Sequence, residues 1–531
     1  MTTAELESKP AMRNVRLRST AICCMTIVVL FIVNLPVANV SRIATTSNTA
    51  DAKRYAIVID AGSSGSRVYV YEWPSTSNGR SLLSLKQKTD ENGKLVTMKT
   101  EPGLSSFRST PQRAYSSLVP LLKLAASHIP SELHPTTNIY VLGTAGLRLV
   151  PARERNAILA AVFSRIRAQY RFNIQADHVR VISGQMEGVF GWIAVNYALS
   201  RLSRSSDGNQ LETHGFIEMG GASEQIAYEV KNEVLPAEVG MDIQLCPPSA
   251  TACLNYHLYV TTFLGFGANS AYQKYIQKLA NQARSQTKSP VSVVEDPCQP
   301  RNMAVAVKAS GSQVEVLAAG EEALPAGTNI ELKGTGQFAA CRKSLLPLLE
   351  ASQEEYHSLG GAYQPRLPLS RSFYGLSEYW YCMEDILGIG GRYQYQRYVQ
   401  ANQKFCGMAW ADIKKEKEID KKYPKADSNR LRRQCFKAAW LAAVLHDGHH
   451  FPEKFDHFQS VSEIDHSEVQ WTLGALVYNL HRPSSDSSGG MLNLPSYSTL
   501  PYKLLLLAAF VSFLVAFRSS CRKRLSQFFY G

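Results

Sequence analysis

The chain has 531 residues, of which 45% are hydrophobic, an ordinary globular composition that is long enough for two or more domains with buried cores. Lysine and arginine outnumber aspartate and glutamate by 57 to 44, which gives a net charge of +13. This excess would steer anionic ligands inward, but the sequence has no basic patch interleaved with aromatic residues, so we expect no nucleic-acid partner.

Two apolar runs near the ends of the chain predict membrane anchors. The first covers residues 20–40 and the second covers residues 502–517. Basic residues flank both runs on their outer sides, so residues 1–19 and 518–531 are predicted to be cytoplasmic tails. A cleaved signal peptide is the alternative for the first run, and a buried core helix is the alternative for the second.

Two polar segments connect these anchors to the rest of the chain. Residues 41–53 are a predicted stalk, and residues 482–501 are a predicted serine-rich linker. With both termini in the cytoplasm, everything between the anchors is expected on the lumenal face. Short spans suit thin early-secretory membranes, so we expect a protein of the Golgi or another endomembrane.

Seven cysteines lie between the anchors, and an oxidising compartment predicts disulfides among them with one thiol left over. They are Cys246, Cys253, Cys298, Cys341, Cys382, Cys406 and Cys435. A local bridge between Cys382 and Cys406 is the preferred pair, although spacing alone leaves the connectivity open.

From residue 55 onward the pattern alternates between strands and helices, which is typical of an α/β fold. Strands are predicted over residues 138–142 and 179–182, and apolar spacing predicts helices over residues 152–169 and 187–202. Residues 320–336 are expected to form a loop.

Two loops of matching glycine and serine pattern, far apart in the chain, are the most informative feature. Each lies between two runs of β-forming residues; one covers residues 61–67 and the other residues 219–223. Glycines let successive backbone N–H groups approach an anion, and hydroxyls add donors, so the pair indicates a phosphate site. For either loop alone, a simple hairpin turn is the alternative.

A carboxylate stands at the head of each loop, Asp60 before the first and Glu218 before the second. A carboxylate would repel phosphate unless a divalent cation lay between them. Both are therefore predicted to hold Mg²⁺ or Ca²⁺, directly or through water.

Two further segments could supply chemistry. Glu187 lies at a predicted strand-to-helix junction and is a candidate base for activating water, while the alternative is a glutamate favoured by the helix dipole. Residues 144–148 place a hydroxyl and a guanidinium beside a glycine turn, either as phosphate ligands or as an ordinary helix cap.

In order and rough spacing, five segments resemble the apyrase conserved regions of the nucleoside triphosphate diphosphohydrolase family. The segments are residues 60–67, 144–148, 187–197, 218–225 and 373–382. The resemblance extends from about residue 54 to residue 482. It is strongest to the branch with an anchor at each end, which works in the lumen of Golgi or lysosomal membranes.

The resemblance implies a fold of two actin-like, ribonuclease-H-like lobes with a central cleft, flanked by the two transmembrane helices. Lobe I would comprise residues 54–185, lobe II residues 186–454, and residues 455–481 would return to lobe I.

The resemblance also implies roles for individual residues. Glu187 would be the general base, Ser223 and Gln225 would hold the attacking water, and Thr144 would help. Asp60 and Glu218 would hold Ca²⁺ or Mg²⁺ through water, and Tyr381 or its neighbour Trp380 would stack on the base of the nucleotide. The implied phosphate ligands are Ser63, Ser64, Gly65, Arg67, Gly220, Gly221 and Ala222.

By the same resemblance, the substrates would be nucleoside diphosphates such as UDP and GDP, cleared after glycosyl transfer in the Golgi, with triphosphates as further candidates. The sequence does not predict the oligomeric state.

Two positions depart from the family pattern. Position 218 is usually Asp and is Glu here, and position 224 is usually Thr and is Glu here. One extra methylene moves a carboxylate by roughly 1 Å, which predicts an active enzyme with a shifted metal preference or a lower rate. Glu224 would matter little if it pointed away from phosphate, as alternate strand residues do. A catalytically degenerate lumenal nucleotide-binding protein is the alternative.

A histidine cluster, His446, His449 and His450, could suggest zinc. The spacing is not that of a helical ligand pair, and no cysteine pair assists, so we expect a loop of surface histidines. Trp471 is interpreted as a packing residue between lobes.

Overall fold

The computed structural model describes residues 52–483 except for a few short segments. The segments left out are residues 77–78, 80, 250–251, 287–290, 311–312, 321–324, 351–358, 360 and 466. Both predicted anchors and both tails lie outside the described residues, as do most of the stalk and nearly all of the linker. Among the described residues, no helix has the length and apolar character needed to cross a membrane.

The described residues fall into two compact units. The smaller one contains residues 52–53 and 74–76, in which the Ser75 N–H donates to the Ala52 carbonyl at 2.7 Å. The larger one contains residues 54–73 and the described residues from 79 onward, and it holds every predicted site residue.

Strands of the described part of the chain form four sheets. The strands are β1 (Lys53–Ala61), β2 (Ser66–Pro74), β3 (Lys86–Gln87), β4 (Thr97–Thr100), β5 (Asn138–Gly143), β6 (Val179–Val181), β7 (Gly215–Met219), β8 (Ser223–Glu229), β9 (Gly240–Leu245), β10 (Leu254–Leu264), β11 (Ser292–Asp296), β12 (Ala304–Ser310), β13 (Gln313–Ala319), β14 (Ile330–Gly334), β15 (Phe373–Ser377), β16 (Gly391–Arg392), β17 (Phe458–Ser460), β18 (Glu463–Ile464) and β19 (Ser467–Glu468).

Helices pack around these sheets. The α-helices are α1 (Ala114–Ser127), α2 (Ala145–Arg148), α3 (Ala152–Gln169), α4 (Gly184–Ala198), α5 (Ala268–Gln286), α6 (Phe338–Leu345), α7 (Glu378–Trp380), α8 (Tyr395–Gly407), α9 (Trp410–Glu418), α10 (Ser428–Ala442) and α11 (Trp471–His481). Two π-helical segments, Tyr381–Asp385 and Ala443–Gly448, continue α7 and α10. Short 3₁₀ turns cover Leu104–Phe107, Pro111–Arg113, Ser131–Thr136, Ala176–His178 and Leu346–Leu348.

The first sheet has the strand order β3-β2-β1-β5-β6, with β4 also paired to β2. Strands β1, β5 and β6 run parallel, and Asp60 lies opposite Leu142. Carboxyl ends of parallel strands meet at one edge of a sheet, where ligands bind in α/β folds. The first loop, Thr144 and Glu187 all follow strands that end at this edge.

Strand β1 is apolar without alternation because both of its faces are buried. Val58 belongs to a cluster that includes residues of α4, while Ile57 and Ile59 belong to a cluster with residues of α1 and α3. The strand that leads into Asp60 is therefore held from both sides.

The second sheet has the order β16-β17-β15-β7-β8-β10-β9. Strands β7 and β8 form an antiparallel hairpin in which Glu218 lies opposite Gln225, and the second loop is the turn of this hairpin. Strand β15 runs parallel to β7 and brings Ser377 beside the end of that strand. The remaining sheets have the orders β11-β14-β12-β13 and β18-β19.

Helix α4 connects the two large sheets and carries Glu187 in its first turn. Glycines allow its neighbours to approach closely. A methyl group on Gly474 of α11 would lie 1.7 Å from the Phe190 carbonyl oxygen, and one on Gly191 would lie 2.0 Å from the Phe216 ring. Such close packing leaves little room for α4 to shift, so Glu187 has a rigid support.

Most of the predicted elements are confirmed with small changes at their ends. The helix over residues 152–169 is found with those bounds, and the strands predicted at 138–142 and 179–182 differ by one residue each. The second predicted helix begins earlier, at Gly184, because the Ser183 hydroxyl caps it by accepting from the Met186 N–H at 3.1 Å. The loop predicted over 320–336 is wrong at its end, which forms β14.

The preferred disulfide is also wrong. The bridges join Cys246 to Cys253, Cys298 to Cys341 and Cys406 to Cys435. Cys382 is free and buried in the π-helical segment after α7. Helix α8 lies beside α10, which places the Cα atoms of Cys406 and Cys435 5.7 Å apart, a distance that suits a bridge.

Candidate active site

Both loops line one cavity of about 260 Å³. All of the predicted site residues line it except Gln225 and Trp380. Those that line it are Asp60, Ser63, Ser64, Gly65, Arg67, Thr144, Glu187, Glu218, Gly220, Gly221, Ala222, Ser223 and Tyr381. The structure therefore brings together segments that lie far apart in the sequence. We call the space that they line the catalytic cavity.

The two loops touch each other. A methyl group added to Gly221 of the second loop would lie 3.0 Å from Ser63 Oγ of the first and 2.9 Å from Asn269 Nδ2. Only a residue without a side chain lets the loops come this close.

Both loops offer backbone donors. Within the described part of the chain, the N–H groups of Ser63, Ser64, Gly221 and Ala222 donate to no other residue. Unpaired N–H groups that face a cavity are costly unless an acceptor reaches them, and a phosphate oxygen is such an acceptor.

The second loop is tied to the start of α5. The Gly221 carbonyl accepts from the N–H groups of Asn269 at 2.9 Å and Ser270 at 3.0 Å, and the Gly220 carbonyl accepts from Ala268 at 2.9 Å. These bonds use up the donors of the helix start and fix the loop's carbonyls away from the anion.

Asp60 and Glu218 stand in a strongly perturbed environment. Burial raises the pKa of Asp60 to about 8, with a further rise from the nearby carboxylates of Glu187 and Glu218. Arg67 and Lys99 oppose this rise. Burial also raises the pKa of Glu218 to about 7, although the Ser377 hydroxyl donates to its Oε1 at 2.5 Å.

These two carboxylates fit a divalent cation. One oxygen of each, Asp60 Oδ1 and Glu218 Oε2, is buried without a hydrogen-bond partner. Oxygen ligands with unmet negative charge are what Mg²⁺ and Ca²⁺ prefer, and Mg²⁺ usually binds with few carboxylates and several waters. The described residues contain no group of three or more His, Cys, Asp or Glu side chains that could hold a metal.

Arg148 links the predicted base to the second loop. Its Nη2 donates to Glu187 Oε2 at 2.7 Å and to Ser223 Oγ at 3.1 Å. Burial raises the pKa of Glu187, and the Arg148 guanidinium opposes that rise. Residues 144–148 are therefore more than a helix cap, because Arg148 contacts both Glu187 and Ser223.

Gln225 lies behind Ser223 and not on the cavity wall. Its amide donates to Ser223 Oγ at 2.6 Å and to Thr262 Oγ1 at 3.1 Å. The Ser223 hydroxyl is thus oriented by Gln225 from one side and by Arg148 from another.

Arg430 lies over the Tyr381 ring, with its guanidinium carbon 4.4 Å from the ring centroid. Both residues line the cavity. Trp380 does not line it; its ring faces Lys425 at 6.0 Å and Gly390, so of the two stacking candidates only Tyr381 has access to the cavity.

Sequence reasoning missed several cavity residues. Lys99 from β4, Asn269 from α5 and Arg430 from α10 line the cavity, and Glu378 lines it while paired with Lys437 at 2.7 Å. Strand pairing and helix packing bring these residues to the site. Glu378 lies within the family segment 373–382 but was given no role there, and local pattern gives no signal for Lys99 or Arg430. Trp471 lines the cavity as well as packing near Phe190.

Glu218 and Glu224, the two glutamates that depart from the family pattern, lie in different environments. Glu218 faces the catalytic cavity, whereas Glu224 points away from it and contacts His449 Nε2 through its Oε1 at 2.8 Å. Both side chains of this pair are buried, 0% and 1% exposed. The expectation of surface histidines is therefore wrong for His449. It is also wrong for His446, which is half-buried and contacts the Phe451 carbonyl at 2.7 Å.

Comparisons with known proteins agree with this geometry. The sequence model of the GDA1/CD39 (nucleoside phosphatase) family matches residues 46–487. The chain is 38% identical over 471 residues to ectonucleoside triphosphate diphosphohydrolase 7 of Pongo abelii, covering 83% of this chain and 75% of that protein. It is 35% identical over 467 residues to nucleoside-diphosphatase mig-23 of Caenorhabditis elegans, covering 84% of this chain and 81% of that protein.

A solved structure shares the fold. A crystal structure of nucleoside triphosphate hydrolases from Neospora caninum superimposes with a TM-score of 0.56 at 15% identity, covering 81% of this chain and 92% of that chain. The expected actin-like α/β fold of nucleotide hydrolases is confirmed. Since the family match spans most of the chain, we conclude that this protein belongs to the GDA1/CD39 (nucleoside phosphatase) family and is a hydrolase of phosphoanhydrides.

Proposed function

We propose that the protein is a lumenal, membrane-anchored nucleotidase that removes the terminal phosphate of nucleoside diphosphates, UDP and GDP among them, and also accepts triphosphates. The observation that carries the proposal is the cavity in which two phosphate-type loops meet three carboxylates, half-buried Asp60 and buried Glu187 and Glu218. The name of the Caenorhabditis elegans relative, a nucleoside-diphosphatase, supports the diphosphate preference.

The reaction transfers the terminal phosphoryl group to water. The water oxygen bonds to phosphorus, the bond from phosphorus to the bridging oxygen breaks, and a nucleoside monophosphate and inorganic phosphate are formed. We assign Glu187 as the base that takes the water proton, because it is buried at the cavity and joined through Arg148 to Ser223. Ser223, with Gln225 behind it and Thr144 nearby, would orient the water.

The loops bind the phosphates in this proposal. The unpaired N–H groups of Ser63, Ser64, Gly221 and Ala222 would donate to phosphate oxygens, with Arg67 adding positive charge. Arg67 is already held in place by Glu468 at 3.5 Å.

Enzymes of this family depend on a divalent cation. We propose Ca²⁺ or Mg²⁺, held by Asp60 and Glu218 through water, because these two carboxylates have buried oxygens without protein partners. When bound, the cation supplies positive charge that neutralises the phosphate oxygens.

The base of the nucleotide would lie at the Tyr381 end of the cavity. An aromatic ring stacks on any base, and a guanidinium plane can stack as well, so Tyr381 and Arg430 predict binding with little preference among nucleosides.

A phosphate-release assay tests the proposed reaction. We expect the full chain to release phosphate from UDP and GDP faster than from UTP and ATP with Mg²⁺ or Ca²⁺, and Glu187→Ala to abolish release. Equal rates on UDP, GDP and ATP would remove the basis for a diphosphatase of Golgi glycosylation. No release by the wild-type protein from any of these nucleotides would overturn the enzyme proposal.

The lumenal location is supported by the two flanked apolar runs and by three disulfides, which form in oxidising compartments. Protease treatment of sealed Golgi vesicles tests it. Epitope tags at both termini should be removed while the domain between the anchors is protected, and the reverse pattern would contradict the proposal.

A further inference from the structure

A second cavity of about 540 Å³ adjoins the catalytic cavity, and we call it the outer cavity. The two cavities share part of one wall, formed by Ser63, Ser64, Gly221, Ala222 and Asn269. The two phosphate loops therefore stand between them. The outer cavity adds a wall of its own, which includes Ser105, Ser106 and Arg108.

The two cavities differ sharply in charge. The catalytic cavity is lined by four acidic side chains, Asp60, Glu187, Glu218 and Glu378, and by three basic ones, Arg67, Lys99 and Arg430. Among the residues that the structure describes, no acidic side chain lines the outer cavity, and Arg108 is the charged residue that does. An anion that moves from the catalytic cavity to the outer one therefore leaves four carboxylates behind and meets an arginine with no acidic side chain beside it in that cavity wall.

The outer cavity also has free donors. Arg108 is exposed and forms no ion pair with any residue that the structure describes. Within the same described ranges, the hydroxyls of Ser105 and Ser106 likewise have no hydrogen-bond partner. A guanidinium beside two hydroxyls has the chemistry that binds a phosphate ion.

The proposed binding mode of the nucleotide places the outer cavity beside the terminal phosphate and not beside the base. Tyr381 and Arg430 line the catalytic cavity but not the outer one. A nucleotide whose base lies at Tyr381 and whose terminal phosphate lies at the loops has that phosphate next to the shared wall. After hydrolysis, the monophosphate would lie between inorganic phosphate and the Tyr381 end.

We propose that the outer cavity is a binding site for inorganic phosphate and the route by which this product leaves while the nucleoside monophosphate still occupies the catalytic cavity. The inference rests on the proposed function, since it needs phosphate to be formed at the loops. Arg108 is the main ligand of the site, and Ser105 and Ser106 add hydrogen bonds.

Passage through the shared wall requires the loops to separate, because Ser63 Oγ would lie only 3.0 Å from a methyl group on Gly221. The second loop is fixed by its hydrogen bonds to the start of α5. Ser63 and Ser64 of the first loop have no such bonds within the described ranges, so the separation in this proposal is a movement of Ser63 away from its close contacts with Gly103 and Gly146.

Inhibition by inorganic phosphate tests this site in the full chain. The variant Arg108→Ala should raise the inhibition constant of phosphate about tenfold, the loss expected for one charged hydrogen-bonded contact. Arg108→Lys should restore part of it, and Arg113→Ala, which removes another exposed arginine outside the cavity, should change nothing. The initial rate on UDP without added phosphate should remain that of the wild type in Arg113→Ala.

A second measurement uses both products together. With the wild type, phosphate and UMP should inhibit at the same time, because they occupy different places, and Arg108→Ala should weaken only the phosphate effect. Mutually exclusive inhibition, or a phosphate constant unaffected by Arg108→Ala, would overturn the inference.

Different results would refute this inference and the proposed function. If UDP is hydrolysed but the inhibition constant of phosphate is unchanged in Arg108→Ala, only the outer site is refuted and the proposed function stands. If no nucleotide is hydrolysed, calorimetry with inorganic phosphate alone still decides: tighter binding to the wild type than to Arg108→Ala supports the site, and equal binding refutes it.

Discussion

The first and second loops have the same sequence pattern, but the protein holds them differently. The carbonyls of Gly220 and Gly221 accept hydrogen bonds from the start of α5, whereas Ser63 and Ser64 make no backbone hydrogen bond to a described residue. Ser63 is instead held by the close approach of Gly103 and Gly146. The pattern specifies the donors that an anion meets. It does not specify how firmly they are fixed, which depends on distant segments.

Asp60 and Glu218, the acids that precede the two loops, also differ in how the protein holds them. Asp60 has no side-chain hydrogen bond to a described residue, while Glu218 accepts from Ser377 at 2.5 Å. The longer side chain of Glu218 reaches a partner on β15. The departure from the family's usual aspartate therefore has a structural counterpart, a carboxylate held by protein on one side and open on the other.

In this account both loops hold the phosphate that the water activated by Glu187 attacks. The largest loss of kcat is therefore expected for a change of Glu187 and not for a change in either loop. Glu187→Gln should lower kcat for UDP by about 10²–10⁴-fold, because the amide keeps the contact with Arg148 but takes no proton. Glu378→Gln is the matched control, a cavity carboxylate paired with Lys437, and should cost far less. Similar losses in the two variants would show that general charge, and not proton transfer, matters.

The second-largest loss of activity is expected for Asp60, the acid that has no partner among the described residues like the one that Ser377 provides for Glu218. Asp60→Asn should lower kcat/KM by about 100-fold, since a site whose cation is misplaced by about 1 Å loses activity on that scale. It should also require more Mg²⁺ or Ca²⁺ for half-maximal activity. Titration of each cation against UDP hydrolysis measures both, and an unchanged cation requirement would contradict the role of Asp60.

Contact between the loops predicts a moderate effect at one glycine and little at its neighbour. Gly221→Ala places a methyl group 3.0 Å from Ser63 Oγ and should lower kcat/KM about tenfold, because a phosphate donor must move. Gly220→Ala meets nothing nearer than the Ser223 carbonyl at 3.6 Å and should leave activity nearly unchanged. Steady-state assays of the two variants side by side measure this difference. A lower kcat/KM for Gly220→Ala than for Gly221→Ala would contradict the predicted contact between the loops.

Shortening the second acid should alter selectivity between cations more than overall rate. Glu218→Asp withdraws the carboxylate from Ser377 by roughly 1 Å, so the ratio of activity with Mg²⁺ to activity with Ca²⁺ should change several-fold. Turnover that is the same as in the wild type under both cations would reject the idea that this departure tunes the metal site.

The smallest effect on turnover is expected behind the second loop. Glu224→Thr restores the family's usual residue but leaves buried His449 without its partner, at a cost of about 1–3 kcal/mol in the free energy of unfolding. Denaturant melts should show this loss, while kcat per folded molecule stays close to that of the wild type. A large fall in kcat with unchanged stability would instead place Glu224 in the reaction.

Local patterns were enough to predict the loops, Asp60, Glu218 and Glu187, because each signal lies within a few residues of one strand end. Long-range packing decided the rest. Arg430 reaches Tyr381 from another helix, and Glu224 finds His449 225 residues away along the chain. The wrong disulfide has the same cause, since only the packing of α8 against α10 selects Cys435 for Cys406.

The central claim is that both loops act on one phosphate and one cation, and a double-mutant cycle tests it most directly. The values of kcat/KM for UDP would be measured for Asp60→Asn, Glu218→Gln and the double variant. Residues that hold the same ion are coupled, so the double variant should lose far less than the product of the single losses, by about 1 kcal/mol or more. Losses that simply multiply would mean that the two acids work independently, and the shared site would be refuted.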